Sequence, residues 1–170
     1  MIEVRPLRPD DERSRFYSGN PDLDRFFQRY AGQNQFKHHI GTTYVAVEND
    51  RILGFVTVSA SQIEIEQLPP ERKQRLPQYP LPVLRLARLA VAETAQGQGI
   101  GLMLLRAVLQ LALTMSETIG CIGVVVDAKQ EAVDFYRRYG FEEMDVVQGL
   151  LGDRPQPLPM FLPLAAIPRS

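Results

Sequence analysis

Between Val83 and Met115 the chain passes from an apolar strand through a glycine-rich turn into a helix, and this junction constrains the fold most. The strand covers Val83 to Val91 and is broken only by Arg85 and Arg88. The turn is Gln96-Gly97-Gln98-Gly99-Ile100-Gly101. The helix then runs from about Ile100 to Met115, with Met103, Leu104, Val108, Leu111 and Met115 available to a core. The first N–H groups of a helix lack intrahelical partners, and that end carries a partial positive charge. Glycines ahead of it let the backbone approach an anion without obstruction by Cβ. Together these features make a site for a phosphate or pyrophosphate. No Gly-Lys-Ser/Thr follows the glycines, so the turn is not a P-loop. The dinucleotide fingerprint also fits poorly, because its glycine spacing differs and it belongs to a first βα unit, whereas this turn lies past mid-chain.

The flanking sequence predicts a mixed sheet. Ile2 to Leu7 reads as a short strand. Asn20-Pro21 starts a helix, with Asn as N-cap and Pro in the first turn, and Leu23, Phe26, Phe27, Tyr30 and Ala31 follow at helical spacing. Thr42 to Glu48 and Ile52 to Ala60 form a hairpin across Asn49-Asp50. Ile63 and Ile65 suggest a further strand. Leu68 to Pro82 holds five prolines and reads as a connection rather than a domain boundary, because neither flank is large enough to fold alone. Ile122 to Val126 is the continuous apolar run of a strand buried on both faces. Gln130 to Tyr139 is a helix ended by Gly140. Phe141 to Val147 and Pro159 to Leu164 close the sheet. This order implies an α+β or mixed α/β fold, in one domain covering residues 1–170.

Bulk properties narrow the class. The charged fraction of 23% and net charge of −1 fit a soluble globular protein with no global pull towards nucleic acid. No unbroken apolar run reaches the length of a membrane span, and the N-terminus lacks the pattern of a signal peptide. The single cysteine, Cys121, excludes an internal disulfide. These features predict a cytoplasmic protein without a membrane partner. Cys121 has no histidine near it in sequence, the two histidines His38 and His39 sit at the end of the first helix, and no Cys/His cluster has metal-ligand spacing, so no metal is expected. Sixteen of the nineteen basic residues are Arg, the side chain best shaped for phosphate. Arg72, Lys73, Arg75, Arg85 and Arg88 cluster against the single acid Glu71. A solvated face and a phosphate-contacting face both account for this cluster.

Gln96-x-x-Gly99-x-Gly101 resembles the pyrophosphate loop of the GNAT superfamily of N-acetyltransferases. Further on, Ala132-Val133-Asp134-Phe135-Tyr136-Arg137-Arg138-Tyr139-Gly140-Phe141 resembles that superfamily's second signature, and the two motifs occur in the expected order. The resemblance implies a GNAT fold: a six- to seven-stranded, mostly antiparallel mixed sheet with a splayed central strand pair and about four helices. It implies acetyl-CoA as acetyl donor. Gln96, Gly97, Gln98, Gly99, Ile100 and Gly101 would hold the pyrophosphate, and Leu89, Ala90 and Val91 would pair with pantetheine. A backbone N–H, at Val91, would polarise the thioester for direct attack by an amine, and Tyr136 would protonate the departing thiolate. A phenol of pKa about 10 can serve as acid to a thiolate whose thiol has a pKa of about 8.5.

The acceptor is read from what the loop strand lacks. Many members carry a Glu there as general base, whereas Val83 to Val91 contains no carboxylate. Glu64 and Glu66, on the strand suggested by Ile63 and Ile65, are the substitutes. Without a base, an α-amine of pKa about 7.7–8.0 is a better acceptor than a lysine of pKa about 10.4. A closer resemblance points the same way. Phe16-Tyr17-Ser18-Gly19-Asn20-Pro21-x-Leu23-Asp24-x-Phe26, Leu86-Ala87-Arg88-Leu89-Ala90-Val91 and Met160-Phe161-Leu162-Pro163-Leu164 are similar to GNAT-type toxins of bacterial toxin–antitoxin modules. That similarity implies aminoacyl-tRNA as substrate, with Arg88 as a candidate substrate contact, an antitoxin protein as partner and a homodimer as assembly. The competing readings are acetylation of a small amine or a peptide N-terminus, and a CoA-binding module without activity.

Overall fold

A computed structural model describes residues 1–73, 76–144 and 157–169. Its strands form a seven-stranded sheet in the order β1-β2-β3-β4-β5-β7-β6. β1 is Glu3–Pro6, β2 Thr42–Glu48, β3 Arg51–Ile63, β4 Leu81–Val91, β5 Gly123–Ala128, β6 Glu142–Glu143 and β7 Leu158–Pro163. The pairs β1–β2, β2–β3, β5–β7 and β6–β7 are antiparallel. The last strand thus inserts between β5 and β6. The helices are α1 (Pro21–Arg25), α2 (Pro70–Lys73), α3 (Ile100–Thr118) and α4 (Val133–Arg138). The α+β expectation and its mostly antiparallel sheet hold. Residues 145–147 of the closing strand expected from Phe141 lie outside the described residues, as does Arg75 of the basic cluster.

The chain divides into two compact units, Met1–Ser59 with Leu86–Gln110 and Ala60–Arg85 with Leu111–Ser170. The first is built on aromatic packing. Phe27 stacks on Phe55 at 4.4 Å, and Phe16 meets both rings edge-on at 4.9 and 5.5 Å. Asn20 caps α1 as expected, accepting from the N–H groups of Asp22 and Leu23. Beyond Arg25 the helix continues in π-helical turns, Phe26–Tyr30 and Gln33–Lys37. Tyr30, expected on the buried stripe, is exposed at the end of the first π turn, and Asp24 within α1 is buried. The β2–β3 hairpin turns on Asn49 and Asp50, both with positive φ, the geometry a two-residue hairpin requires.

The second unit centres on Ile63, Ile65, Leu68, Leu81, Val83, Val125, Met144 and Phe161. Here the separate strand expected at Ile63 and Ile65 is replaced. Ile63 ends β3, and Ile65 opens a single 3-10 turn, Ile65–Gln67. The cause is a reciprocal cap: the Gln67 side chain accepts from the Glu64 N–H, while the Glu64 side chain accepts from the N–H of Gln67. Both apolar side chains are still buried, because a tight turn and a strand can each point them into one core.

α3 is long and apolar enough to cross a membrane by length and composition, although no unbroken apolar run marks it in the sequence. Its Ile100, Leu104, Leu105, Val108, Leu109, Ala112 and Leu113 are nevertheless buried within the protein, as in a core helix. Leu105, Leu109 and Leu113 take core positions, whereas Met103, Leu111 and Met115, expected there, are half-buried.

Candidate active site

The strand–turn–helix junction leaves its glycine backbone open ahead of α3. β4 ends at Val91, a 3-10 turn covers Glu93–Ala95, and α3 begins at Ile100. Gly97 and Gly99 both have φ of +82°, a conformation costly for any residue with a Cβ. A Cβ built on either would meet no atom within 4 Å. These glycines therefore do not make room for a neighbouring part of the protein. They leave the backbone open ahead of a 19-residue helix whose first N–H groups have no intrahelical acceptor. Gln96, Gly97, Gln98 and Gly99 are exposed, and Gly101 is half-buried. Ile100 is 1% exposed, so its side chain anchors the helix start in the core and only its backbone can serve a ligand.

Gln96 is used in an unexpected way. Its side-chain amide donates to the carbonyl oxygens of Ser18 (3.0 Å) and Val91 (3.1 Å). Both bonds are spent on the protein, and the backbone N–H of Gln96 is also committed, donating to the Glu93 carbonyl at 3.4 Å. The Val91 carbonyl is likewise committed. Ala90 is buried, while Leu89 and Val91 are half-buried. Under this strand the fit is close: a Cβ on Gly54 of β3 would lie 2.9 Å from the Ala90 carbonyl oxygen and 3.1 Å from side-chain carbons of Ile100 and Leu104.

Arg88 lies across the ring of Phe26, with its guanidinium carbon 3.8 Å from the ring centroid. Burial lowers its pKa from the ordinary value, and no carboxylate among the described residues pairs with it. The rest of the basic cluster is committed differently. Arg72 makes a two-pronged pair with Glu142 at 2.9 and 3.3 Å, and Arg85 bonds Asp127 at 2.9 Å. Ion pairs within the protein thus occupy Arg72 and Arg85, two members of the basic cluster.

Tyr136, on α4, is 5% exposed. Its ring meets Phe135 and Phe141 edge-on at 5.2 and 5.3 Å. No side chain among the described residues hydrogen-bonds its hydroxyl. Burial raises the phenol pKa above the ordinary value, so the group is protonated at neutral pH and gives its proton up less readily than an exposed phenol does. The helix ends as expected at Gly140, with φ of +98°. The N–H of Phe141 donates to the Tyr136 carbonyl and that of Gly140 to Arg137, each at 3.1 Å, so the turn that ends the helix also holds Tyr136.

The alternative chemistries gain no support. Cys121 is buried, and its thiol donates to the Gly123 carbonyl at 3.2 Å. Among the described residues, no group of three or more His, Cys, Asp or Glu could hold a metal ion. Neither Glu64 nor Glu66 stands on a strand, and both are exposed.

Comparison with known proteins gives the family and the fold. Residues 39–143 match the model of the acetyltransferase (GNAT) domain. A tRNA-acetylating toxin of Mycobacterium tuberculosis (strain ATCC 25618 / H37Rv) is 30% identical over 139 residues, covering 81% of this chain and 82% of the toxin. A crystal structure of a KacT mutant superposes with a TM-score of 0.86 at 25% identity, covering 98% of this chain and 96% of that one. AtaTR bound with AcCoA gives a TM-score of 0.78 at 27% identity, covering 98% and 95%.

Proposed function

Because this chain belongs to the GNAT acetyltransferase family and takes acetyl-CoA as donor, we propose that it acetylates the α-amine of aminoacyl-tRNA and acts as a toxin. The observation that carries the acceptor reading is the composition of β4. Leu81–Val91 holds no carboxylate, and Arg88 presents a cation without an acid partner among the described residues. A strand without a base suits an amine that is already largely neutral, and a spare guanidinium suits a phosphate-bearing acceptor. The similarity to a tRNA-acetylating toxin supports the same choice.

In this reading the open backbone at Gly97 and Gly99 and the first turn of α3 take the pyrophosphate, while Leu89, Ala90 and Val91 align the pantetheine arm. The donor supplies an activated thioester. The acceptor amine attacks its carbonyl carbon, the C–S bond breaks, and the thiolate takes a proton from Tyr136. The amine loses one proton to solvent and the Tyr136 phenolate regains one from solvent, so atoms and charges balance and the acid is restored. We assign the reaction to the cytoplasm, with an acidic antitoxin protein and a second copy of this chain as partners.

The test is to incubate the protein with radiolabelled acetyl-CoA and charged tRNA, uncharged tRNA, or simple amines and peptides. Label is expected on charged tRNA alone. The initial rate should rise with pH and level off near about pH 8, where an α-amine is neutral, rather than climb towards about pH 10 as a lysine would require. Label confined to amines or peptides would overturn the tRNA assignment. No transfer to any acceptor would leave a CoA-binding module.

A further inference from the structure

We infer that Asp24 is a positioning residue for the acetyl-CoA loop, acting through Ser18 and Gln96; this rests on the assignment of that loop to the cofactor. Asp24 is a carboxylate only 7% exposed, and no cation among the described residues pairs with it. Such a group is costly to bury unless its oxygens are fully used. Here both are used by one residue. The Ser18 N–H donates to Oδ1 and Oδ2 at 3.0 and 3.1 Å, and the Ser18 hydroxyl donates to Oδ1 at 2.7 Å. The Asn20 N–H then donates to Ser18 Oγ at 3.2 Å. This fixes the short segment before α1, including Gly19 with φ of +96°.

The other side of the segment meets the loop. The Ser18 carbonyl accepts from the Gln96 amide at 3.0 Å, and the same amide reaches the Val91 carbonyl at 3.1 Å. One residue earlier, the Tyr17 carbonyl accepts from the Glu93 N–H at 2.9 Å. A continuous series therefore runs from Asp24 to Ser18, to Gln96, and to the last residue of β4. It ties both ends of the 91–96 connection to a segment that Asp24 orients. Loss of Asp24 would free the Ser18 peptide to rotate. Gln96 would then lose one of its two acceptors, and the backbone of Gly97 to Gly101 would no longer be held ready for a pyrophosphate. The effect falls on donor affinity, because Asp24 orients the loop and does not touch the reacting atoms.

A double-mutant cycle tests this, with acetyl-CoA affinity from calorimetry, kcat at saturating donor, and thermal midpoint measured together. Asp24→Ala and Gln96→Ala are each expected to weaken acetyl-CoA about tenfold, with kcat of Asp24→Ala at saturating donor held within about twofold. The double variant should lose about tenfold, not the hundredfold of independent sites. Asp24→Asn, whose remaining oxygen can still accept from Ser18, should recover most of the affinity. Should Asp24→Ala fail to fold, Ser18→Ala replaces it, with an expected loss of about threefold that again does not multiply with Gln96→Ala. A folded Asp24→Ala protein with wild-type affinity would overturn the inference, as would losses that multiply. Wild-type protein that binds no acetyl-CoA would overturn the loop assignment itself, and is read separately in the same titration.

Discussion

Two glycine turns, one at Gly97–Gly99 and one at Gly140, use the same backbone conformation for opposite purposes. All three residues have φ between +82° and +98°. Around Gly97 and Gly99 a side chain would meet nothing, whereas at Gly140 a Cβ would stand 3.2 Å from the Leu162 side chain. The second turn is folded into the core and serves the chain: it reverses direction, satisfies the last carbonyls of α4 and fixes Tyr136. The first is open, as the cofactor loop proposed above requires. Positive φ reveals a demand of the backbone, and only the surrounding space tells whether that demand is structural or ligand-directed.

Substitutions can break this comparison. The largest effect is expected for Gly99→Glu, which combines left-handed strain with a carboxylate where the pyrophosphate belongs; acetyl-CoA binding should weaken by at least about a thousandfold in calorimetry. A folded variant that binds as wild type would place the cofactor elsewhere. Tyr136→Phe comes next. Loss of a general acid should lower kcat about 10²- to 10³-fold with donor affinity nearly unchanged, by steady-state assay and titration. A defect in binding alone would move the acid to another residue. Gly140→Ala sharpens the contrast from the structural side, costing about 1–2 kcal/mol in urea unfolding while leaving acetyl-CoA affinity intact.

The smallest effect lies at neither turn. Arg5 makes a two-pronged bond to Asp11 at 2.7 and 2.9 Å, and with the Arg8 N–H it holds the Asp11 pKa below the ordinary carboxylate value. A depressed folded pKa contributes stability above the unfolded value and loses it as pH falls through the folded value. Asp11→Asn should therefore cost about 1 kcal/mol at pH 7 and progressively less as the pH drops below about 4. Unfolding midpoints at pH 7 and pH 3 would check this, with a constant difference counting against the pair.

Much of this was legible locally. The Asn20 cap, the Asn49-Asp50 turn, the loop glycines and Gly140 are each determined within a few residues, so composition at those points decided the backbone. Other features depend on partners that no local pattern contains. Glu142 lies seventy positions from Arg72 and Asp127 forty-two from Arg85, so the basic cluster looked freer in sequence than it is. Gln67 bends Ile65 into a turn by a side-chain bond that alternating hydrophobicity cannot register. The burial of Asp24 goes with its bonds to Ser18, which helical spacing does not register. The insertion of β7 between β5 and β6 is a matter of chain return, to which periodicity is blind.

The buried thiol of Cys121 has a practical consequence. As the chain's one cysteine is 7% exposed, the surface is a blank background for thiol-specific labels. A cysteine introduced at Gln98, which is exposed on the loop, would be the one readily alkylated position. Its labelling rate with and without donor would then report loop occupancy in real time, independently of any acceptor.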